Sequence, residues 1–163
     1  MKNDFQSITH LIPCSVILLS AASKNKKDAM TATCMFVSED PPLFVVSVAK
    51  HILTHQLIEE SGELVLNVAA AAQVKIAKAL GSTHGSKVDK FKKFRIPTEK
   101  ARKVGAPLIK GAYAQVECQV ITSFPLGHYT LYLAEVVAYQ SDEKLTPLAW
   151  QANRYFALEN PIG

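Results

Sequence analysis

The feature that most constrains this chain is a pair of long alternating segments, "AYAQVECQVITSF" at residues 112–124 and "HYTLYLAEVVAYQ" at residues 128–140. Apolar and polar side chains exchange along both, which is the period of a strand with one buried face. Pro125 and Gly127 mark a turn between them, so the two read as arms of one long antiparallel hairpin. The chain has to be built around β structure.

Three earlier runs add strands. Residues 15–22, 30–38 and 43–49 cluster β-branched and aromatic side chains between turn signals, with few polar interruptions. Pro41 and Pro42 cannot donate ladder hydrogen bonds and bias Asp40 toward an extended backbone, which places the turn between the second and third runs there. "ELVLNV" at 63–68 returns to a strand period. Helical spacing interrupts twice. Ile52, Leu53, Leu57 and Ile58 form an apolar stripe followed by "EESG" with a Gly stop, and "AAAQVKIAKALG" at 70–81 is a run of helix formers closed by Gly81. "STHGSKVDKFKKF" then reads as a Gly-Ser loop entering a basic, one-turn helix.

Six or more strands, most joined by short turns, with two or three helices inserted midway, favour a closed or split β-barrel over a sandwich. A doubly wound βα fold is disfavoured, and no Gly-x-Gly-x-x-Gly follows a strand. The 163 residues, 48% of them hydrophobic, read as one domain over 1–163.

Several function classes recede on composition. The longest apolar stretch, "VILLSAA", is far short of the roughly 20 residues of a membrane span, and it lacks the basic start and cleavage site of a signal peptide. The expectation is a cytoplasmic protein with no membrane partner. Cys14, Cys34 and Cys118 are odd in number and embedded in apolar runs, as small buried hydrophobes of a reducing compartment are. The net charge of +4 suits an anionic ligand without requiring a polymer. No RNA-binding aromatic motif or helix-turn-helix pattern points to nucleic acid.

Six strings occur in order: "MTAT" at 30–33, "DPPLFVVSVAK" at 40–50, "THQLIEESGELVLNV" at 54–68, "KVDKF" at 87–91, "GAPLI" at 105–109 and "GHYTLYLAEVV" at 127–137. In this order and spacing the chain resembles the flavin reductase-like, FMN-binding split-barrel family over roughly residues 13–139. The resemblance implies a mainly β, Greek-key split barrel with inserted helices, working as a homodimer. It also implies FMN, rather than FAD, in a groove at or near the subunit interface, with NADH or NADPH as electron donor and a possible redox partner protein.

By that resemblance, Met30, Thr31, Ala32 and Thr33 line the flavin ring. Ser47, Val48, Ala49 and Lys50 carry the chain past the ribityl chain and phosphate, with Thr54 and His55 near the start of the following helix. Unpaired N–H groups at a helix start and the Lys50 charge favour a phosphate there. Ser86, Lys87, Asp89, Lys90 and Phe91 form a second wall, and His128 lies near the reactive ring face and the nicotinamide. Three positions depart from the family pattern. Asp28 stands where many relatives carry Asn, placing an acceptor-only group near the cofactor. Thr33 replaces a common Ser, and Ser38 stands where the ferric-reductase and flavoredoxin branch often has Cys. The resemblance leaves two activities open, a flavin reductase and a flavoredoxin-like electron carrier without its own nicotinamide chemistry.

Plainer readings stand beside these. Thr31 and Thr33 suit a strand by propensity alone. Lys87, Lys90, Lys92 and Lys93 form the kind of run that is usually a solvated face. His51 and His55 share a helix face four residues apart, but no third ligand arrives at metal-site spacing. Cys34 has no cation beside it to activate its thiol and reads as packed. Trp150 and Tyr155 cover either a barrel end or a dimer seam.

Overall fold

A computed structural model describes residues 7–160. Among the described residues the chain is mainly β. The strands are β1 (Cys14–Ser15), β2 (Ile17–Ser23), β3 (Lys26–Ala32), β4 (Cys34–Glu39), β5 (Pro42–Ala49), β6 (Glu63–Val68), β7 (Thr98–Glu99), β8 (Leu108–Ile109), β9 (Ala114–Leu126), β10 (Tyr129–Ser141), β11 (Leu148–Gln151) and β12 (Arg154–Ala157). The helices are α1 (Leu53–Ser61), α2 (Val74–Gly81) and the single turn α3 (Lys90–Lys93). No helix among the described residues is long and apolar enough to cross a membrane.

The expected hairpin is the spine. β9 and β10 pair along their length, and a two-residue turn at Gly127 and His128 joins them, with Gly127 at a φ of 56°. Pro125 therefore lies inside β9. It fits because β6 pairs with β9 only over residues 114–119, leaving the distal half a free edge where a missing N–H is tolerated. Seven strands form one antiparallel sheet in the order β3-β2-β6-β9-β10-β5-β4.

Residues 30–38 are not one strand, as the sequence suggests, but two. β3 pairs with β2 at one edge of the sheet and β4 pairs with β5 at the other, so the chain steps between edges through Thr33 alone. Side-chain period carries no record of which neighbour a strand pairs with, so this break is silent in sequence. The first run divides likewise. β1 pairs with β11, and Val16, between β1 and β2, donates its N–H to Leu148 and accepts from Ala69. The β11–β12 hairpin was not read from the sequence.

β2 explains why "VILLSAA" does not alternate: both its faces are buried. Ile17, Leu19 and Ala21 enter a core with Leu57 and Ile58 of α1, Leu64 and Leu66 of β6, and Tyr132. Val16 and Leu18 enter a second core with Ala77 and Leu80 of α2, Phe91 and Ile109. Trp150 and Tyr155, cross-strand partners in β11 and β12, pack on that second core.

The helix ends follow local chemistry. α1 stops where Gly62 adopts the left-handed conformation at φ 69° and returns its N–H to the Ile58 carbonyl at 2.8 Å. α2 starts later than its pattern suggests, because a 3-10 turn at Ala71–Gln73 precedes it and the Gln73 amide oxygen accepts the Ala70 N–H. α3 is capped by Asp89, whose carboxylate accepts the Lys92 N–H at 3.1 Å.

Candidate functional site

A cavity of about 330 Å³ opens where β3, β5, the entry to α1 and the loop after α2 converge. Met30 and Thr31 of β3 and Ser47 and Ala49 of β5 form one side. Residues 51–53 and Tyr129 close the ends, and residues 80–86 with Lys90 form the opposite wall. The lining mixes flat apolar surface from Met30, Ile52, Leu53 and Leu80 with hydroxyls from Ser47, Ser82, Thr83 and Ser86 and imidazoles from His51 and His84. Such a donor set fits a planar ligand with an apolar face and a polar edge.

A buried charge knot holds these walls together. The Lys90 ammonium lies 3.1 Å from the Asp28 carboxylate, with their side chains only 3% and 2% exposed. Asp28 also accepts the Thr54 hydroxyl at 2.7 Å, and Lys90 also donates to the Ala29 carbonyl. Gly85 presses on the same carboxylate: a Cβ there would stand 2.2 Å from Asp28 Oδ1, far inside contact distance. β3, α1, α3 and the 80–86 loop thus meet at one carboxylate.

Of the residues singled out in the sequence, Met30, Thr31, Ser47, Ala49, Ser86 and Lys90 line this cavity. The Thr31 hydroxyl donates to the Ala77 carbonyl, tying β3 to α2. Ala32 and Thr33 lie one step further along, beside a shallower depression shared with Trp150 and Tyr155. Val48 is buried in the first core and Phe91 in the second, where the Lys27 ammonium sits 4.7 Å above the Phe91 ring. Asp89 serves as the α3 cap, and Lys87 is exposed, with its N–H donated to His84.

The groups expected at the phosphate are otherwise engaged. Thr54 is fully buried on Asp28, and His55 reaches Thr130 at 2.9 Å. The Lys50 ammonium donates to the Gly127 carbonyl at 2.8 Å, and its N–H to His128, which fastens β5 to the hairpin turn. His128 itself is exposed on that turn, next to Tyr129. Asp28, expected as an acceptor near the cofactor, is instead the counter-ion of Lys90; an Asn there would leave that ammonium buried without a charge partner.

His51 and His55 diverge. His51 faces His84, with ring centroids 6.4 Å apart, while His55 packs near Tyr132. Burial pushes the Cys34 thiol up to about 11 despite a hydrogen bond from Ser15 that lowers it, and pushes Cys118 up to about 12. Both are protonated, packed thiols at neutral pH, in keeping with the sequence reading of Cys34.

The cavity-lining residues that sequence reasoning missed are residues 51–53, Tyr129 and residues 80–85. The trace of residues 80–85 is "GSTHGS" at 81–86, rich in Gly and hydroxyls with one imidazole, running from a helix stop toward a helix cap. Tyr129 lies inside the string "GHYTLYLAEVV", and His51 to Leu53 lead into the apolar stripe of α1.

The flavin reductase like domain pattern matches residues 9–159. The chain belongs to the flavin reductase-like family. The reductase component of an FADH(2)-dependent resorcinol hydroxylase from a Rhizobium species is 25% identical over 163 residues, covering 98% of this chain and 88% of its own. Two solved structures share the fold at a TM-score of 0.88. The NADH:FAD oxidoreductase of Streptomyces globisporus C-1027 is 24% identical, covering 98% of this chain and 96% of its own. The flavoredoxin of Desulfovibrio vulgaris (Miyazaki F) is 21% identical, covering 100% and 96%.

Removing one member of a buried ion pair strands the other. Asp28→Asn is expected to lower stability by about 3 kcal/mol, with Asp28→Asn/Lys90→Met recovering part of the loss. Urea unfolding of the single and double variants measures both; a loss below about 1 kcal/mol for the single variant would show that the pair is not a keystone.

Proposed function

We propose that this chain is an NAD(P)H:flavin oxidoreductase in which hydride passes from nicotinamide C4 to N5 of a flavin held in the cavity. The observation that carries this reading is the cavity itself. It joins "MTAT", the end of "DPPLFVVSVAK" and Lys90 of "KVDKF", which are remote in sequence and are strings of the family resemblance. Bound flavin supplies the redox chemistry, since no side chain here can accept a hydride. FMN is the flavin we favour, because the cavity then has to take only the ring, the ribityl chain and one phosphate.

The chain's part is positioning and polarity. Leu80 and Met30 offer apolar surface for ring stacking, and the hydroxyls of Ser47, Thr83 and Ser86 can donate to an edge that gains negative charge. Lys90 acts differently: its charge is neutralised by Asp28, so it fixes the wall and supplies little net attraction for an anion. His128 projects from the turn beside Tyr129 and is assigned to the nicotinamide side of the site, where it orients the donor and moves no proton.

We further read the sheet as a split barrel that works as a homodimer. Strand register places Met35, Val45 and Leu133 in one row, and Leu131 with Phe124 and Tyr129 with Leu126 in the next two, all on the same face. Met35, Phe124, Leu126 and Tyr129 are each more than half exposed, an apolar patch for a lone chain. Ser47, Ala49 and Tyr129 stand in those rows and also line the cavity, so a second copy seated on this face would border the flavin. Sedimentation equilibrium should give twice the chain mass, and Leu126→Glu should shift it to monomer. A wild-type monomer at micromolar concentration would rule the dimer out.

The activity is tested by adding NADH or NADPH anaerobically to protein loaded with FMN and following the visible flavin band. Bleaching that needs the protein supports the reductase. A bound flavin that neither nucleotide bleaches would make the chain an electron carrier for a protein partner. His128→Ala should raise the nicotinamide KM by about tenfold, roughly 1.4 kcal/mol, and leave the flavin Kd within about twofold. The reverse pattern would move His128 to the flavin.

A further inference from the structure

His51 and His84 meet at the edge of the cavity, and neither the fold nor the flavin reading gives them work. Their ring centroids lie 6.4 Å apart, with the ring planes inclined at 54°. Both side chains are exposed, and both border the cavity. His51 stands on the turn between β5 and α1, and His84 on the 80–86 loop that forms the opposite wall.

Both rings are chemically free. Two other histidines are engaged, His10 with Asn153 at 3.3 Å and His55 with Thr130 at 2.9 Å. Among the described residues, no hydrogen bond ties the ring nitrogens of His51 or His84, so each neutral ring has a lone pair to offer. Two such imidazoles facing each other are a ligand pair for a divalent transition metal.

The spacing suits that use. Bonds of about 2.1 Å from one ion to a nitrogen of each ring place the ring centroids about 5 Å apart at a tetrahedral angle, and about 6.4 Å apart on opposite sides of the ion. The observed 6.4 Å is the wide end of that range. Closing it to the tetrahedral value takes about 1 Å, which side-chain rotation at two exposed positions supplies.

The surroundings select the ion. The cavity lining holds no carboxylate and no thiol, which disfavours Mg²⁺ and Ca²⁺ and leaves ions that prefer imidazole, such as Zn²⁺, Ni²⁺ and Cu²⁺. Repulsion from nearby lysines is limited, because Asp28 balances the Lys90 charge and the Lys50 ammonium is drawn to the Gly127 carbonyl. We propose that His51 and His84 form a two-histidine site for a divalent transition-metal ion, which clasps the 80–86 loop to the turn before α1. No third His, Cys, Asp or Glu joins the pair among the described residues, so water or an anionic oxygen fills the remaining positions. Gly85 already sits against Asp28, and the clasp fixes the stretch of loop just before it. The site goes beyond the flavin reductase reading and stands without it.

The test uses the whole, untagged chain, stripped of metal with a chelator and desalted. Zn²⁺ and Ni²⁺ are titrated calorimetrically into the wild type, His51→Gln, His84→Gln and, as a control for surface histidines, His10→Gln, with Mg²⁺ as the control ion. One Zn²⁺ or Ni²⁺ per chain should bind the wild type and His10→Gln alike, and at least about tenfold more weakly in either of the other variants. Mg²⁺ should not bind. Two readouts need no variant: Cu²⁺ on the wild type should show electron paramagnetic resonance splitting from two nitrogens, and Zn²⁺ should slow amide exchange in residues 80–86.

A wild type that takes up neither Zn²⁺ nor Ni²⁺ saturably overturns the proposal, as does full-strength binding by His51→Gln or His84→Gln. A copper spectrum with one nitrogen or none also overturns it. Equal weakening by His10→Gln does the same, by showing adventitious binding to surface histidines. All of these measurements are made without flavin, so their failure leaves the reductase reading intact, and the failure of that reading leaves the metal site standing.

Discussion

The ion pair between Asp28 and Lys90 is the constraint on which the functional surface depends. Two opposite charges, both all but removed from water, are stable together only if their remaining hydrogen-bonding capacity is met. Here Thr54 and the Ala29 carbonyl meet it. Because those partners come from α1 and β3, and Lys90 opens α3, the pair fixes three elements relative to one another. Gly85, with no side chain, lets the 80–86 loop close over the carboxylate. Any larger residue would have to displace a group already held from two sides. The cavity wall is therefore as rigid as this knot.

The sheet supplies the other half of the geometry. Thr33 is the single step by which the chain leaves one edge of the seven-stranded sheet and joins the other, which brings β3 and β5 together on one side of the cavity. The long β9–β10 hairpin delivers Tyr129 to the cavity rim and leaves an apolar face beside it. Carboxylates do further structural work away from the site. Buried Glu117 accepts the N–H groups of Arg102, Lys103 and Val104, and so holds a loop that contains no long element of its own.

The legible parts of this chain are those governed by local chemistry. Alternation revealed β9 and β10, the diproline placed the β4–β5 turn, and Gly62 marked the end of α1. What stayed hidden depends on distant partners. The break at Thr33 follows from which strand each half pairs with. Lys90 looked like one of several surface lysines because its counter-ion is 62 residues away in sequence. Lys50 and Thr54 looked free for a phosphate because nothing nearby showed that Gly127 and Asp28 would claim them. Family strings located the strands around the cavity well, and the 80–86 loop poorly, since Gly and hydroxyl residues give no periodic signal.

The central claim is that the cavity between β3, β5 and the 80–86 loop is where flavin binds. Amide hydrogen exchange, followed by mass spectrometry with and without saturating FMN, addresses it at peptide resolution. The account predicts slowed exchange in residues 80–86 and 47–53, with little change in β11 and β12. Protection confined to other segments, with residues 80–86 exchanging as fast as in the free protein, would contradict it.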